Sequence, residues 1–325
     1  MENSVFQSSS KITIPNYISH YKVIKTIGKG GFAVVVLAID TRNQQKVAIK
    51  IIDRKEVEKQ ELLTYLENEL RLSARFDHPN IVKVYDILYD PERIMIIMEY
   101  VPNGDLQTLI FRGISFTLEE QLNICYEILQ ALQYLHHRGI SHRDLKPENI
   151  LFDIKFHPKI IDFGLSKEKC EKLHTYCGTT LYMAPEVILC NSYDGSKADV
   201  WAFGVTAHIL AAQAFPWGLK SEAQYLKCIQ MQDISIDVIP KGIIGSIITK
   251  SLVFDPAQRA NVDVLLQEME KYMHPSQAVS NSSIQRKSKT EDRLPRLSVT
   301  NSTPVFIRQR KSNPRMTCLE VRLKK

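Results

Sequence analysis

Nine consecutive residues, Ser141-His142-Arg143-Asp144-Leu145-Lys146-Pro147-Glu148-Asn149, place an acid, a base and an amide on one proline-stiffened turn. Such a set suits proton transfer and the holding of charge. Two upstream stretches point to phosphate as that charge. Gly28-Lys29-Gly30-Gly31-Phe32-Ala33-Val34-Val35 puts glycines between two apolar runs. Without a Cβ, a hairpin there can close over phosphates and offer backbone N–H groups. Read alone, it is equally a ligand-free turn, and it is not a Walker loop, which runs G-K-[ST] into a helix. Val47-Ala48-Ile49-Lys50 sets a lysine inside an apolar run. Lys50 is either an edge lysine snorkelling to solvent or a fixed cation for phosphates, which then needs a carboxylate to hold it. Asp162-Phe163-Gly164, thirteen residues past Asn149, adds another acid.

The elements that must position these groups follow from periodicity. Residues 1–20, rich in Ser and Asn, are expected to form a flexible extension. Tyr21–Gly28, Ala33–Asp40 and Lys46–Asp53 are β-branched runs with Gly-rich or polar connections, and they predict successive antiparallel strands. Ile81–Leu88 and Arg93–Met98 bring the total to five. Gln60–Phe76 carries Leu62, Leu63, Leu66, Leu70 and Leu72 at helical spacing, with Glu67 and Glu69 on the same helix. Thr117-Leu118-Glu119-Glu120 is a capping box. The helix it opens runs to His137, stops at Gly139 and delivers the Ser141–Asn149 loop, after which Ile150–Phe152 reads as a short strand. A charged loop between a helix and a strand holds chemistry on a rigid support. Downstream the pattern is mainly helical. The fold class is α+β, with a small β lobe followed by a larger α lobe.

Length and composition set the bounds. A chain of 325 residues is about two domains, or one bilobal unit with extensions. With 44% hydrophobic and 24% charged residues it has the profile of an ordinary globular protein. The longest apolar stretch, Trp201–Phe215, is shorter than the roughly 18 residues a membrane span needs, so a buried core helix is expected there. The M-E-N-S start has neither the basic nor the apolar region of a signal peptide. Six cysteines without a C-x-x-C pair or a metal-spaced His cluster fit reduced thiols, hence a cytoplasmic or nuclear location. From His274 onward 12 Lys/Arg face 3 Asp/Glu, a net of +9, which leaves −3 on the rest of the +6 chain. A nucleic-acid enzyme would carry its basic surface on the folded part, so neither a nucleic-acid partner nor a membrane span is expected.

His142-Arg143-Asp144-Leu145, with Asn149 five residues after the aspartate, resembles the catalytic loop of protein kinases, H-R-D-L-x-x-x-N. The resemblance runs from about Tyr21 to Met273, with the other strings in the family's order. It is closest to the calcium/calmodulin-dependent and AMP-activated group through T-x-C-G-T, L-Y-M-A-P-E and K-A-D-V-W. Leu-Lys-Pro-Glu after Asp144 resembles serine/threonine rather than tyrosine kinases. The resemblance implies a bilobal kinase fold with an N-lobe over 21–98, a hinge over 99–104 and a C-lobe over 105–273. It also implies ATP and Mg²⁺, and phosphoryl transfer to protein substrates, a reaction that asks for positioning and charge neutralisation.

On that resemblance Asp144 orients the attacking hydroxyl and accepts its proton, Lys146 neutralises charge on the phosphate, and Asn149 and Asp162 hold Mg²⁺. Lys50 meets the α- and β-phosphates, steadied by Glu69, with Glu67 as the rival. The glycine loop departs from G-x-G-x-x-G-x-V only at Ala33, the smallest replacement. Nucleotide contacts are implied for Ile27, Gly28, Lys29, Gly30, Gly31, Phe32, Ala33, Val35, Ala48, Met98, Glu99, Val101, Asp105, Glu148 and Leu151. Among them Met98 is at the gatekeeper position, Glu99 and Val101 meet adenine through the backbone, and Asp105 meets the ribose. As residue types, Val101–Asp105 equally describe a Pro-Asn-Gly turn.

Leu165 to Ala184-Pro185-Glu186 resembles an activation loop, with Thr175 at the phosphosite and Arg143 as the group that pairs with its phosphate. An upstream kinase or autophosphorylation would supply that phosphate. Thr179 matches the family threonine that bonds the catalytic Asp and Lys. Asp199 would hold the catalytic-loop backbone, and Arg259 would form a buried pair with Glu186. Glu148 and Asp105 imply a preference for arginine upstream of the target residue. Residues 274–325 are polar and basic, so disorder is the default there. Phe306 and Leu319 have the spacing of calmodulin-target helices, but Pro314 would break such a helix, and calmodulin is not an expected partner. Ser288, Ser298 and Ser312 follow basic residues and are candidate phosphosites.

Overall fold

The structure, a computed structural model, describes residues 12, 14–30, 33–59, 66, 70, 72–168, 170, 172–219, 221–274 and 298–299. β1 (Tyr17–Ile18), β2 (Tyr21–Lys29), β3 (Ala33–Asp40), β4 (Lys46–Asp53), β5 (Val84–Tyr89) and β6 (Arg93–Glu99) form one antiparallel sheet in the order β1-β2-β3-β4-β6-β5. Alternation gives the sheet two apolar faces. Val36, Ala38, Val47, Ile49, Ile51 and Ile97 pack on one face, and Ile52, Ile94 and Ile96 on the other. β4 is paired on both sides, with Lys50 opposite Val35 and Ile96. Lys50 is therefore in the middle of the sheet, which excludes the edge-lysine reading.

One strand exceeds the five expected. Tyr17 pairs with Lys22 and Ile18 with Tyr21, and Ile18 is buried, so the last residues of the expected extension are part of the sheet. α1 (Arg54–Lys59) follows β4. Of the helix expected over 60–76, Leu66, Leu70, Leu72 and Ser73 are helical and buried. Leu66 and Leu70 pack on the Ile52 face of the sheet. Glu67 and Glu69 lie outside the described residues.

The second lobe holds α2 (Leu106–Phe111), β7 (Ile114–Ser115), α3 (Leu118–His136), β8 (Ile140–Ser141), β9 (Ile150–Phe152), β10 (Pro158–Ile160), β11 (Lys167–Glu168), α4 (Pro185–Leu189), α5 (Gly195–Ala212), α6 (Glu222–Gln230), α7 (Gly242–Ser251) and α8 (Val262–Met273). The capping box opens α3 as expected: Glu120 N donates to Thr117 Oγ1 at 3.3 Å and Thr117 N to Glu120 Oε2 at 2.7 Å. From Ala198 to Leu210 α5 is buried around its whole circumference, as a mainly apolar helix is, and the polar Asp199, Thr206 and His208 are buried with it. It starts before the apolar run because Asp194 caps it, accepting from Ser196 N at 2.8 Å, and it ends at Gln213 in the left-handed region. α3, α5 and the β9–β10 hairpin share the large core of this lobe. Val82 N to Ile160 O and Ile160 N to Asn80 O, at 3.0 and 2.8 Å, tie that hairpin to the segment leading into β5. Beyond His274 only Ser298–Val299 (β12) is described, paired antiparallel with β7. Among the described residues no helix is long and apolar enough to cross a membrane.

Candidate active site

α3 ends against a buried carboxylate. Asp199, on α5, accepts from His142 N and Arg143 N at 2.8 Å each and is 2.9 Å from His136 Nε2. These bonds fix the turn that presents Asp144 and hold Arg143 at φ 70°, a conformation a non-glycine residue keeps only when its surroundings impose it. Both oxygens of Asp144 are engaged. Oδ2 accepts from Lys146 Nζ at 2.8 Å and Asn149 Nδ2 at 3.1 Å, and Oδ1 from Thr179 N at 3.0 Å and Thr179 Oγ1 at 2.8 Å. Lys146 Nζ also donates to Thr179 Oγ1 at 2.6 Å. Thr179 reaches this position because Gly178 (φ 113°) lies against the Arg143 carbonyl, where a Cβ would be 2.7 Å from that oxygen. No other residue type fits there without a shift.

The second acid comes from the end of the β9–β10 hairpin. Ile161 N donates to Asn149 O at 3.0 Å, and the Ile161 carbonyl is 3.0 Å from His142 Nε2. Asp162 follows at φ 66° and brings Oδ1 to 3.8 Å from Lys50 Nζ, both side chains being mostly buried. Phe163 is buried, with ring centroids 4.7 Å from Phe76 and 5.1 Å from His142. The structure thus gathers Asp144, Lys146 and Asn149 in one cluster and pairs Lys50 with Asp162, although these residues come from three separate stretches of chain.

Asn149 carries the clearest sign of a missing partner. Its Nδ2 is satisfied by the Asp144 carbonyl at 2.8 Å and the Asp144 carboxylate, while its buried Oδ1 has no hydrogen-bond partner. A buried acceptor left open is costly unless a cation or donor fills it. Asn149 and Asp162 offer oxygen only, the donor set of a hard cation such as Mg²⁺. The residues present therefore fit the ion that the resemblance implies.

Other expected nucleotide contacts are placed as follows. Gly28 and Lys29 end β2, paired with Val35 and Val34, and Gly30 N donates to Ala33 O at 2.8 Å; Gly31 and Phe32 lie outside the described residues. A Cβ on Gly28 would be 3.5 Å from Val35, an ordinary contact, so packing does not demand glycine there. Ala48 pairs with Met98, and Val101 is buried. Glu99 binds Lys159 Nζ at 2.8 Å through its side chain. Asp105 caps α2, taking Thr108 N on Oδ1 at 2.8 Å and Thr108 Oγ1 on Oδ2 at 2.7 Å, and it bridges Leu151 through the backbone. Glu148 is exposed on the loop. Loss of water around its inner side raises its pKa above the usual carboxylate value, against the opposing pull of Lys146.

Residues 21–273 match the protein kinase domain family. The chain belongs to that family. It is 36% identical over 258 residues to CBL-interacting protein kinase 10 of Oryza sativa subsp. japonica, covering 77% of this chain and 56% of that protein. It is 38% identical over 262 residues to serine/threonine-protein kinase kin-29 of Caenorhabditis elegans, covering 79% and 31%. It is 31% identical over 286 residues to serine/threonine-protein kinase cds1 of Schizosaccharomyces pombe, covering 83% and 61%. The chain therefore spans less than two thirds of the length of these relatives.

Two further groups complete the kinase domain's site. Arg259 and Glu186 form a bidentate pair at 2.6 and 2.8 Å, almost wholly buried. It ties Glu186, in α4, to the loop that precedes α8. Nearer the catalytic loop, Arg143 reaches the backbone carbonyl of Thr175 at 2.7 Å and the hydroxyl of Tyr193 at 2.7 Å. Tyr193 and His136 were not singled out from the sequence. Neither is part of a motif that carries chemistry, and only tertiary packing sets them beside Arg143 and Asp199. Cys177 is buried beside the same loop.

Proposed function

We propose that this chain is a serine/threonine protein kinase that transfers the γ-phosphate of MgATP to protein hydroxyls and is controlled by phosphorylation at Thr175. The observation that carries the reading is the four-donor cradle of Asp144. It fixes one carboxylate on the loop, held by Lys146 Nζ and by the amide nitrogen of Asn149, whose own oxygen is left open. In this arrangement Asp144 orients the substrate hydroxyl and accepts its proton as the phosphorus–oxygen bond forms. Lys146, already 2.8 Å from Asp144, stabilises the negative charge that moves onto the transferring group. Lys50, held mid-sheet 3.8 Å from Asp162, supplies a fixed cation for the upstream phosphates. Bound Mg²⁺, held by Asn149 and Asp162, supplies neutralisation of phosphate charge. Glycine at 28, which packing does not require, leaves room for phosphate against the backbone. Asp105 is committed to its cap, so ribose would meet it there only as a further partner; Glu148, exposed and acidic, suits an arginine upstream of the target.

The test is transfer of label from γ-labelled ATP, with magnesium, to basic peptides that differ only in the acceptor. Label on the serine and threonine peptides and none on the tyrosine peptide is the expected result. Nucleotide binding without transfer by protein phosphorylated at Thr175 would reduce the chain to a nucleotide-binding scaffold. Control by Thr175 has its own outcome. Thr175→Ala is expected to lower kcat about tenfold or more against protein phosphorylated at Thr175, because Arg143 loses the charge-assisted partner a phosphate offers. Equal rates in the two proteins would remove that control.

A further inference from the structure

Arg143 is fastened by contacts that ask nothing of the Thr175 side chain. Its Nη2 donates to the Thr175 carbonyl and to Tyr193 Oη at 2.7 Å each, its Nε to the same Oη at 3.2 Å, and its Nη1 to the Leu165 carbonyl at 3.2 Å. Tyr193 Oη donates in turn to the Thr175 carbonyl at 2.9 Å. One phenol therefore closes a triangle between the catalytic loop and the backbone of the activation segment. The neighbouring backbone is zipped in the same sense. Leu173 and Tyr193 exchange N–H···O bonds of 2.9 Å, and His174 Nδ1 is 2.9 Å from the Asn191 carbonyl. Tyr193 is 7% exposed. Burial raises the pKa of its phenol far above the ordinary value, so the hydroxyl keeps the proton it donates.

We propose that Tyr193 is a positioning residue whose hydroxyl latches Arg143 to the Thr175 carbonyl and so holds the activation segment on the catalytic loop. This rests on the kinase reading with Thr175 as the phosphosite. The consequence for chemistry runs through the backbone. Asp199 fixes Arg143 N, Gly178 packs on the Arg143 carbonyl, and Thr179, next along, cradles Asp144. Whatever holds residues 173–175 also places 178–179, and hence the carboxylate that aims the acceptor. A phosphate on Thr175 would offer oxyanions to the same guanidinium. The phenol then becomes redundant. The latch is thus the phosphate-independent half of a two-part fastening, and it sets the basal rate.

The test compares full-length protein with and without Tyr193→Phe, which keeps the ring and removes the hydroxyl. Two forms are used: a Thr175→Ala background, and protein with phosphothreonine genetically encoded at 175. In the first, Tyr193→Phe is expected to lower kcat about tenfold, the order of a lost charged hydrogen bond, with KM for ATP unchanged. In the second, the two rates agree within about twofold. Hydrogen exchange at the amides of 173–176 is expected to quicken in the first form and not in the second. An equal loss of rate in both forms makes the phenol a plain packing group and overturns the latch, as does unchanged exchange in the first. If the parent protein transfers no phosphate in either form, the kinase reading has failed, and the exchange comparison alone decides the latch.

Discussion

Replacing Asp144 by asparagine is expected to lower kcat by about 10²–10⁴-fold, the range lost with a positioned general base. Two effects add. The amide cannot take the proton of the attacking hydroxyl, and it cannot satisfy the cradle. Four donors converge on the carboxylate: Lys146 Nζ and Asn149 Nδ2 on one oxygen, Thr179 N and Oγ1 on the other. An asparagine must turn its NH₂ toward one of these donor pairs, which sets donor against donor. The nucleotide groups, Lys50 and Asp162, come from other elements, so KM for ATP is expected to change little. Peptide-transfer kinetics at saturating ATP measure the effect, and a thermal melt within a few degrees of the parent shows that the fold survives. A fall of less than about tenfold would mean that Asp144 is not the group that handles the proton.

Replacing Arg259 by leucine is expected to cost about 3–5 kcal/mol, because it strands the buried Glu186 carboxylate. Arg259 donates to both oxygens of Glu186, to the Lys197 carbonyl at 2.7 Å and to the Val253 carbonyl at 2.9 Å, and its guanidinium carbon is 5.1 Å from the centre of the Trp201 ring. The melting temperature is expected to fall by roughly 6–20 °C for a domain of this size. Pairing the change with Glu186→Gln removes the stranded charge and recovers a good part of the loss, since a buried pair is worth far less than the damage done by breaking it. Calorimetry of the two variants measures both terms. A single variant as stable as the parent would show that the pair carries no structural weight.

The parts of the site that lie close together in sequence were legible there. His142 to Asn149 holds its acid, base and amide within one turn, so spacing alone gave the cluster. The six-stranded order was not legible, because β6 lies between β4 and β5, and sequence periodicity is blind to which strands are neighbours. That left Lys50 undecided between a sheet edge and a buried cation, and the pairing of β4 on both sides decides it. β1 escaped notice because two residues in a Ser- and Asn-rich segment carry no period. Asp105 had two readable roles, a ribose contact and the cap of α2, and the helix geometry takes both oxygens for the cap. Tyr193 was invisible for a different reason. Its function depends on meeting Arg143 across 50 residues of chain, and no local pattern records such a meeting. Glu69, the expected partner of Lys50, is outside the described residues.

The central claim is that Lys50, Asp144, Asn149 and Asp162 converge on one nucleotide. A crystal structure of the full chain with Mg²⁺ and a non-hydrolysable ATP analogue tests it most directly. The expected result has the ion on Asn149 Oδ1 and the Asp162 carboxylate, Lys50 Nζ within hydrogen-bond reach of the α- or β-phosphate, and Asp144 facing the terminal phosphate. A nucleotide bound elsewhere, or Asn149 Oδ1 still without a partner when the ion is present, would contradict it.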